Sequence, residues 1–204
     1  MAFRFSTSTA VAAGTFNIYV IQPQWLREVK LFREGVKMKV ASDFRRPGFL
    51  YTSDESPVNW DVRPDRVMLT GKNPAADCGG VLADVIHKLP WTPLTGVGVN
   101  VEFIGEPEDL ERLKGCSLPT CDAIEGYARK QRTIHTALER SPHIFNLQIA
   151  AHEKIELSIN VHTELTGTQE AISALAEETC RKFLALREEA SRLAARQFGV
   201  EVNL

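Results

Sequence analysis

The sequence predicts an α+β fold, with a mainly antiparallel sheet of about six or seven strands and helices packed largely on one face. Short segments of alternating apolar and polar residues are separated by turn signals, two of them form a hairpin over 143–164, and a long helical pattern follows that hairpin. The chain has 204 residues, of which 44% are hydrophobic and 25% charged. This composition is typical of a globular protein, and we expect one domain over 1–204.

The N-terminal quarter is predicted to contain two strands and one short helix. Residues 1–14 are rich in Ser, Thr and Ala, and we expect a flexible lead there. The β-rich segment 15–22 is predicted to be a strand, and a proline at the first turn favours a short helix over 23–32. Alternation predicts a half-exposed strand over 36–42, whereas Pro-Gly and polar residues predict turns and a loop over 44–57.

The middle of the chain is predicted to run from a hairpin through a helix to a strand. Two short strands about a Pro-Asp turn are expected over 58–71. Asn73 is the expected N-cap of a helix over 74–89, which Pro90 ends. The next strand, 95–105, has the clearest alternation in the chain. Its faces carry Thr95, Val97, Val99, Val101 and Phe103 on one side and Gly96, Gly98, Asn100 and Glu102 on the other.

The last third begins with helices predicted over about 107–114 and 121–140. It ends with a long helix of about 30 residues, one stripe of which is mostly apolar. Thr166 with Gln169 is the expected capping box of this helix, and Gly199 is its expected end. The long C-terminal helix exceeds what a sheet face covers, so we expect part of it to overhang the sheet, to pack on another helix or to meet a partner.

The register of the hairpin over 143–164 follows from its two apolar faces. Burying both faces requires Phe145 opposite Val161 and Leu147 opposite Ile159, with a turn around 152–154. The outer face of the hairpin then carries Asn146, Gln148, Glu156, Ser158, Asn160 and His162.

Two parts of the chain have the same predicted order of structural elements. Segments 58–105 and 143–198 both run strand, tight turn, strand, Thr-Gly and helix, with Thr-Gly at 70–71 and 166–167. This order is typical of an internal pseudo-repeat, although independent use of the same loop chemistry explains it equally well.

The charge and the cysteines limit the classes of partner. A net charge of −2 gives no global reason to expect nucleic acid or an anionic membrane. No segment approaches the ~18 consecutive apolar residues of a membrane-spanning helix, and polar residues interrupt any signal-peptide core at the start. The four cysteines are scattered, so we expect reduced thiols and a cytoplasmic location.

Three side chains in the predicted helix 74–89 are candidates for catalysis. Cys78 lies near the helix N-terminus, where the dipole lowers the pKa of a thiol. His87 follows nine residues later, which at about 100° per residue places it on the opposite face and excludes a dyad. Asp84 and His87 share a face and form a candidate acid–base pair. We favour the structural alternatives, which are a buried thiol packed behind Gly79 and Gly80 and an ordinary solvated Asp84/His87 pair.

Metal and cofactor sites are not expected. Cys116 and Cys121 are separated by four residues, at the edge of zinc-ligand spacing, and the histidines occur singly. The sequence contains no nucleotide-binding glycine loop, no nucleophile elbow and no zinc-protease motif.

Two surfaces are candidates for binding. Glycines at 96 and 98 share one strand face, which indicates that a helix of the same chain, a partner or a ligand approaches it closely. We take Gly96, Gly98, Asn100, Asn160 and His162 as a candidate partner surface. Separately, Arg45 and Arg46 lie among aromatic residues, a combination used by single-strand binding proteins. An ordinary turn explains this segment better, so nucleic acid is the less favoured partner.

The segments "NWDVRPDRVMLTG", "VLADVIHKLPWTPLTGVGVNVEF" and "FLALREEASRLAARQFGVEV" resemble a sporadically distributed family of uncharacterised bacterial proteins. The likeness covers about half of the chain, in pattern more than in letters. In that family strands precede a helix and a Gly-containing strand, and a hairpin and a long helix close the chain. The resemblance implies a prokaryotic source and an accessory gene, and it transfers no catalytic residue.

We therefore expect a non-catalytic interaction or accessory protein of a prokaryotic multi-protein system, acting as a homo-oligomer or with a protein partner. One alternative is a small cytoplasmic enzyme or ligand-binding domain with a pocket near helix 74–89. The other is a weak nucleic-acid binder that uses its basic N-terminal half.

Overall fold

The computed structural model describes residues 2–32, 35–43, 46–105, 132–151 and 155–203. The strands are β1 (Ala2–Gly14), β2 (Lys39–Asp43), β3 (Arg46–Thr52), β4 (Val58–Arg63), β5 (Arg66–Gly71), β6 (Leu94–Gly105), β7 (Arg132–Arg140), β8 (His143–Ala151), β9 (Ile155–Glu164) and β10 (Glu201–Asn203). The helices are α1 (Pro23–Glu28), α2 (Cys78–Lys88), α3 (Gln169–Arg181) and α4 (Phe183–Phe198).

One ten-stranded sheet organises these elements, in the order β2-β3-β4-β5-β1-β6-β9-β8-β7, with β10 pairing alongside β1. The β1–β10 pair is parallel and the other pairs are antiparallel. Helices α2, α3 and α4 contact the face of the sheet that carries the buried side chains. The predicted α+β class and mainly antiparallel sheet are therefore confirmed, whereas six or seven strands was too few.

The sheet consists of two halves with the same chain path. In each half a long central strand is followed by the strand at the edge of the sheet. The next strands then step inward until the last one pairs with the central strand, and a helix follows. The first half runs from β1 to α2 and the second from β6 to α4. The long strands β1 and β6 meet antiparallel in the middle. The pseudo-repeat predicted over 58–105 and 143–198 stays a prediction: each segment contains a hairpin followed by a helix, but only the first ends in a long strand, β6.

The N-terminal segment expected as a flexible lead is instead β1, which lies in the middle of the sheet. Its inward side chains are small because α2 packs closely over them. Ser8, Ala10 and Ala12 are buried, and the Cys78 Sγ lies 3.9 Å from the Ser8 carbonyl oxygen. Small and hydroxylated residues lack the large apolar side chains that usually mark a central strand, which is why the prediction failed.

The predicted strand 15–22 is irregular. Asn17 Oδ1 accepts a hydrogen bond from the Tyr19 N–H, and the Asn17 carbonyl accepts from the Val20 N–H. These bonds turn the chain towards α1. The apolar residues that suggested a strand anchor the turn in the core, since Phe16, Ile18 and Ile21 are buried.

Two segments predicted as loop or helix are strands. The loop predicted over 44–57 contains β3, which tolerates Pro47 and Gly48 because they lie at its start, beside an irregularity in the β2 pairing. The C-terminal part of the helix predicted over 121–140 is β7, which pairs along its whole length with β8. The rest of that predicted helix lies outside the described residues. The helix predicted over 107–114 and the turn predicted around 152–154 lie outside them too.

The predicted helix 74–89 begins later than expected. Asn73 forms a local turn by accepting from the Ala75 N–H at 3.0 Å, and the N-cap of α2 is Asp77, whose Oδ1 accepts from the Gly80 N–H at 2.8 Å. The chain leaves α2 at Leu89, the residue before Pro90.

The predicted long C-terminal helix is two helices. The break is at Lys182, whose N–H bonds to the carbonyls of Glu178 and Thr179. Thr168, rather than Thr166, caps α3. Gly199 ends α4 as predicted, with φ of 65°.

The predicted β8–β9 register is confirmed, with Phe145 opposite Val161 and Leu147 opposite Ile159. Within the described residues, none of the helices is long and apolar enough to cross a membrane.

Candidate binding surface on the sheet

The sheet face opposite α2, α3 and α4 is called here the outer face. Alternation places every second residue of each strand on it, and in β1, β6, β9 and β8 the described side chains there are half-buried or exposed, except for the small residues Gly96 and Ala150. On this face the adjacent strands β1, β6, β9 and β8 carry, among others, Thr7, Thr9, Val11, Ala13, Gly96, Gly98, Asn100, Glu102, Ser158, Asn160, His162, Asn146 and Gln148.

A chain of hydrogen bonds crosses four strands of the outer face. Asn146 Nδ2 donates to Asn160 Oδ1 at 3.2 Å, Asn160 Nδ2 donates to Asn100 Oδ1 at 2.6 Å, and Asn100 Nδ2 donates to Thr9 Oγ1 at 2.8 Å. We call these four residues the polar ladder. Each asparagine amide carries two N–H groups, of which the ladder uses one. The ladder fixes the rotamers of its side chains and leaves hydrogen-bonding capacity on the surface.

The polar row continues into the first half of the sheet. Thr70 pairs with Thr9 and Asn59 pairs with Thr70, so six adjacent strands carry an uncharged polar side chain in one row. The Asn59 Oδ1 is buried and has no hydrogen-bond partner among the described residues. In the strand order, Asn59, Thr70 and Thr9 on β4, β5 and β1 therefore mirror Asn146, Asn160 and Asn100 on β8, β9 and β6.

Of the two β6 glycines, Gly96 accommodates a close contact within the chain, whereas a Cβ at Gly98 would make ordinary van der Waals contact. A Cβ at Gly96 would lie 2.9 Å from His162 Cε1, and one at Gly98 would lie 3.6 Å from Asn160 Nδ2. The close approach indicated by the sequence therefore comes from side chains of the neighbouring strand. The five residues of the predicted partner surface lie side by side on the outer face of β6 and β9.

Charge is distributed unevenly on the outer face. The first half carries four basic side chains, Lys39, Arg4, Arg63 and Arg66. Carboxylates lie beside three of them: Asp54 pairs with Lys39, Asp61 pairs with Arg63, and Asp61 and Asp65 lie near Arg66. The second half carries four glutamates and, within the described residues, no lysine or arginine on this face: Glu102, Glu139, Glu156 and Glu164. The neutral polar row runs across both halves.

Cys78 is the first residue of α2, and its thiol is buried rather than presented at the surface. Burial raises the pKa of the Cys78 thiol to about 12; the Asp77 carboxylate raises it too, and the Arg187 guanidinium opposes them. A thiol with this pKa holds its proton near neutral pH and is a poor nucleophile. Burial raises the pKa of Cys180 in α3 to about 12 as well.

Thiol titration of the native protein is expected to leave Cys78 and Cys180 unmodified near neutral pH, because both are buried and protonated. The background is the variant Cys116→Ser/Cys121→Ser, which removes the other two thiols. With an aromatic disulfide reagent, two thiols should react in guanidinium chloride and neither within minutes in buffer. A Cys78 that reacts as fast as free cysteine would contradict the buried geometry.

Asp84 and His87 lie on the side of α2 that faces α3, and each pairs with α3. Asp84 Oδ1 accepts from Arg181 Nη2 at 3.1 Å, and His87 Nδ1 lies 3.3 Å from Glu177 Oε2. Burial tends to raise the pKa of Glu177, but hydrogen bonds from Arg181 and His87 outweigh it and lower that pKa. The four side chains form an exposed network that links the two helices, a structural role that accounts for the predicted pair.

Other candidate sites receive no support from geometry. Among the described residues, those of β2–β4 line a cavity of about 210 Å³ and those of α4 and β10 line one of about 220 Å³; α2 lines neither of these. Within the described residues, no group of three His, Cys, Asp or Glu side chains is placed to hold a metal ion. Cys116, Cys121 and Arg45 lie outside the described residues, and Arg46 is the first residue of β3.

Sequence reasoning missed part of the outer face. Thr9 lies in the segment read as a flexible lead, so the end of the polar ladder was not anticipated. Asn146 was placed on the correct face, but its link to Asn100 depends on β9 lying between β8 and β6. Strand order is a long-range property, and the alternation of one strand carries no signal for it.

Comparisons with protein-family models and with curated proteins gave no match for this chain. The class is therefore defined by the structure: an α+β protein with helices against one face of a ten-stranded sheet and a hydrogen-bonded polar row on the other.

Proposed function

We propose that the chain is a non-catalytic interaction protein, of the accessory kind found in prokaryotic multi-protein systems, and that its outer face docks a protein. The observation that carries this proposal is the polar ladder. Its side chains are oriented by one another before any partner arrives, which lowers the entropy that docking costs. The resemblance to a bacterial family with no catalytic motif agrees with an accessory role.

The chemistry of the two faces also favours binding over catalysis. The candidate nucleophile Cys78 is buried and protonated, and Asp84 and His87 are engaged with α3. The centre of the outer face is neutral, as expected for a protein-docking surface, where charged residues are depleted at the core. A nucleic acid that covers the whole outer face is disfavoured, because in the second half its phosphates would meet glutamates such as Glu102 and Glu156.

Site-specific photo-crosslinking tests the proposal. A benzophenone amino acid at Gln148, exposed on the outer face, is expected to give a protein adduct in cells that naturally express the chain and with purified protein. The matched control is the same group at Glu188, exposed on α4 on the helical side. Adducts from neither position, or equal adducts from both, would overturn the assignment of the outer face.

A further inference from the structure

We propose that the outer face docks a second copy of this chain, forming a symmetric dimer with its two-fold axis parallel to the strands between β1 and β6. This inference rests on the proposed function, because it names the partner of the same surface. Three properties of the face support it: its charge, its hydrogen-bonding groups and its area.

The charge of the outer face is self-complementary. A two-fold axis parallel to the central strands places β5 of one copy over β9 of the other, so the basic half of each copy covers the acidic half of its partner. Within that arrangement one pair lies in register. Backbone pairing places Arg66, Ala13, Gly96 and Glu164 in one row across β5, β1, β6 and β9. The two-fold rotation reverses the order of this row in the second copy, so Arg66 lies opposite Glu164 of that copy.

Neither side chain of this pair is held by a short hydrogen-bonded ion pair among the described residues of its own chain. The Glu164 side chain is exposed and forms no hydrogen bond or ion pair within the described residues. Arg66 is partly exposed, and its contacts with Asp61 at 3.6 Å and Asp65 at 3.5 Å are longer than a hydrogen-bonded ion pair. Two identical Arg66–Glu164 contacts form in the dimer, one on each side of the axis.

The polar row is self-complementary too. The same rotation places Thr9 over Asn100 of the second copy and Thr70 over its Asn160. Amides donate and accept, and each ladder asparagine retains an unused N–H. A neutral row that faces its own copy therefore finds partners, whereas a row of one charge would repel it.

The area of the outer face suffices for a stable dimer. At about 4.8 Å between strands and about 3.3 Å per residue, the eight strands that overlap in this arrangement, each over about seven residues, measure roughly 38 by 23 Å, or about 900 Å². Specific protein interfaces bury about 800 Å² on each partner. Sheets that pack face to face with aligned strands are also a common arrangement inside proteins.

Charge reversal tests the inference by sedimentation equilibrium of the full chain. The wild type is expected to dimerise, and Arg66→Glu or Glu164→Arg to weaken the dimer at least about tenfold, because each change turns two attractive contacts into repulsive ones. An equimolar mixture of these two variants restores both contacts and should form a heterodimer of wild-type affinity. The double variant Arg66→Glu/Glu164→Arg should dimerise like the wild type.

The controls separate folding from association. Arg196→Glu and Glu170→Arg reverse exposed charges on α4 and α3 and should leave the dimer unchanged. Thermal unfolding shows whether each variant is folded, and recovery in the mixture itself requires folded variants. A monomeric wild type at all concentrations, or a dimer insensitive to both reversals, overturns the inference. A Gln148 adduct with a different protein and none at twice the chain mass would overturn it too, yet retain the proposed function.

Discussion

Replacing Gly79 by alanine is expected to lower the free energy of unfolding by about 3 kcal/mol or more. Gly79 lies in the first turn of α2, where that helix meets the junction of α3 and α4. A Cβ there would fall inside the van der Waals radii of the Phe183 Cβ and the Cys180 carbonyl oxygen. Neither atom can swing away, because one belongs to backbone and the other is attached to it, so the helices must separate. Chemical denaturation with an unchanged m-value measures the effect.

Gly80→Ala is the matched control, one residue further along α2. A Cβ at Gly80 would meet only the carboxylate end of the Asp77 side chain. The Asp77 side chain can rotate away, which weakens its cap bond to the Gly80 N–H and costs about 1 kcal/mol. Alanine has a higher helix propensity than glycine, and this gain of about 1 kcal/mol offsets the loss. Gly80→Ala should therefore change stability by about 1 kcal/mol or less. Equal effects of the two substitutions would show that the helices do not meet closely at Gly79.

Sequence reasoning predicted this packing correctly in kind and wrongly in position. Small residues after Cys78 indicated a close-packed surface, and Cys78 and Gly79 are indeed buried. The start of the helix was misplaced because Asn73 forms a local turn that imitates a cap, and the true cap at Asp77 follows four residues later. Both residues have the side-chain chemistry of an N-cap, and only the path of the chain decides between them.

Local alternation predicted the faces of β6, β8 and β9 well, because each pairs on both sides and buries one face. The same rule failed for β1, whose inward residues after the bulge are Ser8, Ala10 and Ala12. Their small size is set by α2, which is distant in sequence. The polar ladder and the opposed charges depend on strand order, so the sequence indicated the members Asn100 and Asn160 but not the row that they form.

Arg187→Ala is expected to cost about 2 to 3 kcal/mol of stability. Arg187 is 6% exposed on α4, and its Nη1 donates to the Pro74 carbonyl at 2.6 Å. The guanidinium lies 6.0 Å from the Phe5 ring centre and 5.9 Å from that of Phe183. Alanine removes the hydrogen bond and these contacts and leaves a cavity beneath the start of α2. Thermal and chemical denaturation measure the loss.

Arg187→Met separates packing from charge in the same experiment. Methionine refills most of the volume and removes the buried charge. The Arg187 Nε has no hydrogen-bond partner among the described residues, and burial lowers the pKa of the guanidinium. Replacing a buried charge by a well-packed apolar side chain is often neutral or stabilising, so Arg187→Met should stay within about 1 kcal/mol of the wild type. If methionine is instead as destabilising as alanine, the bond to Pro74 dominates. Arg187 would then stabilise mainly by holding the segment before α2, rather than by filling the space between Phe5 and Phe183.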